Sequence, residues 1–167
     1  MGTTQEGLQF LAQNAQREGV VTLPCGLQYK VVKSGDGKSP RAATECECHY
    51  RGKLIDGYEF DSSIKRGKPA TFAPNRVVQG WTIALQLMGV GDKWVLYVPS
   101  ELGYGDAGRS DQARGQYIAP GAVLIFELEL LRVLGPSKPK PKRPAGMPSC
   151  PPVADGAARG EASVVAI

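Results

Sequence analysis

The stretch Gly52-Lys-Leu-Ile-Asp-Gly-Tyr-Glu-Phe-Asp-Ser-Ser63 decides how this chain is read. Asp56-Gly57 stands between two runs that alternate apolar and polar residues, which is a strong hairpin signal. Upstream, Glu45–Leu54 keeps the two-residue period of a strand, and Tyr58–Ser62 continues it beyond the turn. Further out, Leu27–Lys33, Ala70–Ala73 (with Phe72 inward), Lys93–Val98 and Val123–Leu134 also read as strands. Only one internal segment changes period. Trp81, Ala84, Leu85 and Met88 fall at helical spacing and Gly89 closes them off, predicting a helix of two turns. Strands and helices do not alternate, so the expected class is α+β: an antiparallel half-barrel sheet of five to six strands wrapped around one short helix. Residues 3–18 predict an N-terminal helix, with Thr3 and Glu6 as a capping box and Gly19 as a stop. A helix this short is marginal alone, so its fraying and its docking both remain open.

Composition places the chain among ordinary globular proteins, with 42% hydrophobic and 22% charged residues over 167 positions. Its net charge of +4 gathers after position 135, where Lys138, Lys140, Lys142, Arg143 and Arg159 face only Asp155 and Glu161. A nearly neutral body argues against a nucleic-acid-binding fold. No apolar run reaches the length of a membrane span, and the N-terminus lacks signal-peptide character, so a cytoplasmic location is expected. Proline repeats and few bulky apolar residues predict that 136–167 is a disordered tail, with 1–25 as a helical extension and 26–135 as the domain. Lys138–Arg143 has the form of a short nuclear-localisation or anion-binding patch, but a solvating tail is the preferred reading. Cys46 and Cys48, two apart on a strand, lie roughly 7 Å from one another, outside easy bridging distance. Cys150 lies in the proline-rich tail, and all four cysteines, Cys25 included, are expected as free thiols.

Several motifs lose weight in context. Gly103-Tyr-Gly-Asp-Ala-Gly108 matches a dinucleotide-binding pattern, but the polar stretch Arg109–Gln116 follows where that pattern needs a helix. Cys46-Glu-Cys-His49 suggests metal, yet alternation puts His49 on the face opposite Cys46, Cys48 and Tyr50, so no metal is expected. What survives is aromatic. Phe60 adjoins Asp61, while Trp81 and Tyr104 lie beside glycines, which together predict a small apolar pocket with a few fixed polar groups. Asp61 also has a plain reading as a turn carboxylate paired with Arg66, and Trp81 as core.

From about Gly26 to Leu134 the chain resembles the FK506-binding-protein (FKBP) family of peptidyl-prolyl isomerases, closest to its Mip/FkpA-like branch. The resemblance rests on Cys25-Gly-Leu-Gln-Tyr-Lys30, His49-Tyr-Arg-Gly52, Leu54-Ile-Asp-Gly57, Phe60-Asp-Ser-Ser63, Arg66-Gly-Lys-Pro-Ala70, Val77-Val-Gln-Gly-Trp81, Leu102-Gly-Tyr-Gly105 and Ile118-Ala-Pro-Gly-Ala-Val-Leu-Ile-Phe126. It implies that a substrate proline lies over Trp81 in a pocket formed by Tyr50, Phe60, Asp61, Val77, Val78, Trp81, Tyr104, Ile118 and Phe126. It implies further that the Val78 N–H and the Tyr104 hydroxyl bond carbonyls of substrate or macrolide, with Arg66 positioning Asp61. Asp61, Tyr104, Phe60 and Trp81 are the residues expected to carry the chemistry.

The chain departs from the family pattern at four places. Ala70 stands where some relatives carry an aromatic, and Arg76 replaces a common acidic residue. Tyr117-Ile-Ala-Pro120 replaces an Ile-Pro-Pro run, and the loop 106–116 is longer than usual. The long dimerising helices of some Mip-like proteins have no counterpart in 1–25, so a monomer is expected. The implied activity is rotation of Xaa-Pro bonds in proline-containing polypeptides without cofactor, inhibited by tacrolimus or rapamycin. The competing expectation is a proline-peptide-binding or chaperone module without turnover.

Overall fold

At the Asp56-Gly57 turn the chain forms a three-residue hairpin loop. The Gly57 N–H donates to the Leu54 carbonyl (3.0 Å), the Tyr58 N–H to Asp56 Oδ1 (2.9 Å), and Gly57 takes φ +94°, which a side chain would resist. The hairpin joins β4 (Cys46–Leu54) to β5 (Glu59–Ser62). This computed structural model describes residues 2–111 and 116–140. Around the hairpin lie β1 (Val20–Thr22), β2 (Gln28–Lys33), β6 (Ala70–Phe72), β7 (Lys93–Val98) and β10 (Leu124–Val133). They form one antiparallel sheet in the order β1-β2-β7-β10-β4-β5, with β6 also on β4. Two small ladders stand apart: β3 (Ser39–Pro40) with β11 (Ser137–Lys138), and β8 (Arg109–Asp111) with β9 (Gln116–Ile118).

Strand alternation separates two apolar layers. On β10, Leu124, Phe126, Leu128 and Leu130 point inward and are fully buried against α3 (Gln79–Leu87), which fills the concave face. Val123 and Ile125 point to the convex face, where they meet Leu11 and Phe10 of α1 (Gln5–Asn14). The expected α+β half-barrel with a central helix is therefore the observed architecture, with seven strands in its main sheet rather than five to six because the short β1 also joins it. Among the described residues, no helix is long and apolar enough to cross a membrane.

Two local expectations change, and one open alternative is decided. The N-cap of α1 is Thr4, whose hydroxyl accepts from the Gly7 N–H (3.1 Å); Thr3, expected in a capping box with Glu6, turns toward Ser100 and Glu101 instead. The helix is docked, because its apolar face covers the convex side of the sheet. Residues 136–140, expected within a disordered tail, pack on the body. Pro136 O accepts from Thr44 Oγ1 (2.6 Å), and Lys140 Nζ reaches Asp92 Oδ1 (2.8 Å). Composition concealed this because the pairing uses backbone and one buried carboxylate rather than apolar side chains. Positions 141–167, the remainder of that expectation, lie outside the described residues.

The cysteines divide. Cys46 and Cys48 are free and buried on the inner face of β4, with the Cys46 thiol donating to Phe72 O (3.4 Å). Cys25, expected as a free thiol, is disulfide-bonded. Spacing along the chain carries no signal for a bridge that tertiary folding closes.

Candidate functional site

Trp81 enters on the first turn of α3 and lies fully buried at the centre of a ring cluster. Tyr50 from β4 and Phe126 from β10 meet it edge-on, each at 5.1 Å between centroids, and Phe72 from β6 leans on it at 5.2 Å. Such offset and edge-to-face arrangements suit the ring quadrupoles. Phe60 from β5 packs edge-on against Phe126 at 5.6 Å. Gly52 makes that pair possible, since a Cβ there would lie 2.7 Å from Phe60 and 2.8 Å from Phe126. The Trp81 Nε1–H is buried with no hydrogen-bond partner among the described residues.

The polar edge of the cluster is a closed hydrogen-bond triangle. Tyr50 Oη donates to Asp61 Oδ2 (2.7 Å), Arg66 Nη2 donates to Tyr50 Oη (2.7 Å), and Arg66 Nη1 pairs with Asp61 Oδ1. The Ser62 N–H also donates to Asp61 Oδ1 (2.9 Å), so the carboxylate cannot swing. Arg66 reaches back because Ser62 caps the short helix α2 (Ser63–Arg66), accepting from the Lys65 N–H (3.1 Å). Burial pushes the Tyr50 phenol well above its ordinary range, and Asp61 adds to the rise against the opposing pull of Arg66. The Arg66 guanidinium is held in its charged form by Tyr50 and Asp61 despite partial burial. The side chain of Asp61 is 3% exposed and that of Arg66 38%, which places the carboxylate inside and its cation at the rim.

Val77, Val78, Tyr104 and Ile118 complete the cluster and are all buried with Trp81. Val78 is the N-cap of α3, so its N–H has no partner within the helix. Of the residues expected in the pocket, Tyr50, Phe60, Asp61, Arg66, Trp81 and Phe126 are joined by these contacts, while Val77, Val78, Tyr104 and Ile118 share the same buried core. Two neighbours were not expected there. Phe72 was read only as inward-facing, although its strand alternation carried the signal. Arg109 lies 5.4 Å over the Tyr104 ring, because Arg109–Asp111, read as part of a polar loop, pairs with Gln116–Ile118 in the β8–β9 ladder. His49 points away from the buried cysteines and meets Ser63 Oγ at 2.8 Å. Among the described residues, no three His, Cys, Asp or Glu side chains converge as metal ligands. The arrangement offers apolar ring faces around one fixed carboxylate.

Comparison with known proteins places this geometry. Residues 36–131 match a family model described as FKBP-type peptidyl-prolyl cis-trans isomerase, and residues 2–31 match the domain amino-terminal to such isomerases. The chain is 47% identical over 129 residues to the FKBP-type 22 kDa peptidyl-prolyl cis-trans isomerase of Escherichia coli, covering 77% of this chain and 60% of the relative. It is 45% identical to the isomerase FkpA of Aeromonas hydrophila, covering 80% of this chain and 47% of that protein. The chain therefore spans about half to three-fifths of the length of these relatives. A solved peptidyl-prolyl cis-trans isomerase from Pseudomonas syringae superposes with a TM-score of 0.70 at 36% identity, over 78% of this chain and 92% of that one. FkpA from Escherichia coli gives the same TM-score at 39% identity, over 81% of this chain and 59% of that one.

Proposed function

The chain belongs to the FKBP-type peptidyl-prolyl cis-trans isomerase family, and on that premise we propose that it accelerates cis/trans rotation of Xaa-Pro bonds in polypeptides and binds tacrolimus and rapamycin. The observation that carries this reading is Trp81, fully buried among Tyr50, Phe72 and Phe126, with Asp61 locked beside it. The uncatalysed rotation crosses a barrier of roughly 18–20 kcal/mol. Twisting the amide removes resonance and reduces the carbonyl dipole, so water favours the planar ground state more than the twisted form. An apolar pocket reverses that preference, and each ~1.4 kcal/mol of differential stabilisation is worth tenfold in rate.

In this reading the proline ring lies against Trp81, between Phe60, Phe126, Val77 and Ile118. The Val78 N–H and the Tyr104 hydroxyl hold carbonyls on either side of the ring. Asp61, fixed by Arg66 and Tyr50, supplies an oriented negative field at the rotating amide. The domain acts alone in this scheme, without cofactor and as a monomer, which light scattering of the purified chain would check. The disulfide at Cys25 suits an oxidising compartment better than the cytoplasm expected from the sequence. One relative at 44% identity carries the name outer membrane protein MIP.

The test is NMR exchange or protease-coupled kinetics on a panel of Xaa-Pro peptides, with and without tacrolimus. Rate enhancement abolished by tacrolimus supports the proposal. Tight peptide binding without enhancement would favour the binding module.

A further inference from the structure

Tyr104 is carried by a loop that hangs from one buried residue. The Gly103 and Gly105 N–H groups, on either side of Tyr104, both donate to the Ser100 carbonyl at 2.9 Å. Ser100 is fully buried, and the partner of its own polar groups comes from the far end of the chain. Its N–H donates to Thr3 Oγ1 (3.1 Å), and its hydroxyl lies 3.1 Å from the same oxygen. Thr3 Oγ1 gives its single proton to Glu101 Oε1 (3.0 Å), so the Ser100 hydroxyl must be the donor between the two. One threonine oxygen therefore donates once and accepts twice, which exhausts its capacity.

The neighbouring residues extend this clasp to both limbs of the loop. The Gly2 N–H donates to Asp106 Oδ1 (2.8 Å) and the Thr3 N–H to Glu101 Oε2 (3.0 Å). The Thr4 N–H donates to the Gly121 carbonyl, and the Gly121 N–H to the Gly105 carbonyl, both at 3.0 Å. Residues 2–4 thus tie the Tyr104 loop to the turn that follows Ile118.

From this geometry we infer that Thr3 is a positioning residue for Tyr104, setting through Ser100 the place of the tyrosine hydroxyl at the proline site. The inference rests on the assignment of Tyr104 to that site. Replacing the hydroxyl by a methyl group leaves the Ser100 N–H and Oγ–H buried without an acceptor, and the loop can answer only by shifting or opening.

The test uses the full chain and its variants Thr3→Val, Thr3→Ser, Tyr104→Phe and the Thr3→Val/Tyr104→Phe double. Amide exchange is followed at Gly105 and Gly121, and tacrolimus affinity by titration. Thr3→Val is expected to speed Gly105 exchange at least tenfold and to weaken tacrolimus several-fold, with Thr3→Ser close to the parent on both. In the Tyr104→Phe background, Thr3→Val is expected to weaken binding by less than twofold, because the hydroxyl it positions is gone. Unchanged Gly105 exchange in Thr3→Val overturns the inference, as does an equal loss of affinity in the two backgrounds. The exchange measurement decides the point even if the parent shows no isomerase activity, so failure of the proposed function reads separately.

Discussion

At the residue scale the site separates groups that build the pocket from groups that tune it. Trp81 is fully buried in the core and, in the proposed reading, also floors the pocket, so Trp81→Ala is expected to cost about 3–5 kcal/mol of stability as well as turnover, the range for deleting a buried large aromatic. Tyr104→Phe should leave the melting temperature nearly unchanged and weaken tacrolimus by about 0.5–1.5 kcal/mol, one neutral hydrogen bond. Asp61→Val should lower peptide turnover without abolishing it if desolvation carries most of the effect. A stably folded but wholly inactive Asp61→Val protein would show that the carboxylate does more. Most of this site was legible in the sequence. Asp61 and Arg66 lie five apart across one short turn, and their pairing follows from that proximity. Strand alternation put the third member of the triangle, Tyr50, on the pocket-facing side of its strand, but its bond to Asp61 depends on strand register and was not foreseen. Arg109 over Tyr104 was hidden for a different reason. A polar stretch gives no sign that it folds back as a ladder onto an aromatic ring.

Elements tell a similar story at their ends. Strand periods and the single helical period gave β2, β4, β5, β7, β10 and α3 close to their observed limits, because the strands bury largely alternating sets and α3 sets its apolar residues at helical spacing although it is buried almost all round. The short pairs β3–β11 and β8–β9 run for only two or three residues each, too short to show a period, and escape any such reading. The β11 segment nevertheless bears on stability. Asp92 is fully buried, and its carboxylate accepts from the Gly35 and Gly89 N–H groups as well as from Lys140 Nζ. Truncation after Gly135 removes the only cation paired with it among the described residues. A loss of about 1.5–3 kcal/mol in urea unfolding is expected, the scale of a charged hydrogen bond. Truncation after Lys140 should match the full chain, provided Cys25 is kept in the same redox state in both. Equal stability of the two truncations would show that Lys140 contributes nothing.

Across the whole molecule, the sheet order β1-β2-β7-β10-β4-β5 joins strands far apart in sequence, and local patterning does not specify it. The inward alternation of β4 and β10 does determine what the core contains, including ionisable groups. Burial raises the Cys48 thiol well above its ordinary value, with Cys46 and Glu47 adding to the rise, and it raises the Tyr50 phenol likewise. For both, the unfolded chain releases its proton at lower pH than the folded one. Their contribution is therefore complete below about pH 8 and is lost as pH rises past about 8.5 for cysteine and about 10 for tyrosine. Urea unfolding at pH 7, 9 and 10 should show falling stability, with the onset blunted in Cys48→Ala. A flat profile would contradict the burial of both groups.

The central claim is that a dry aromatic pocket floored by Trp81 lowers the barrier to proline rotation. Exchange NMR on an Xaa-Pro peptide with catalytic amounts of the folded chain tests it most directly. Cis/trans exchange well above the uncatalysed rate is expected, with a return to that rate on adding tacrolimus. Exchange at the uncatalysed rate, with the protein folded and the peptide bound, would contradict it.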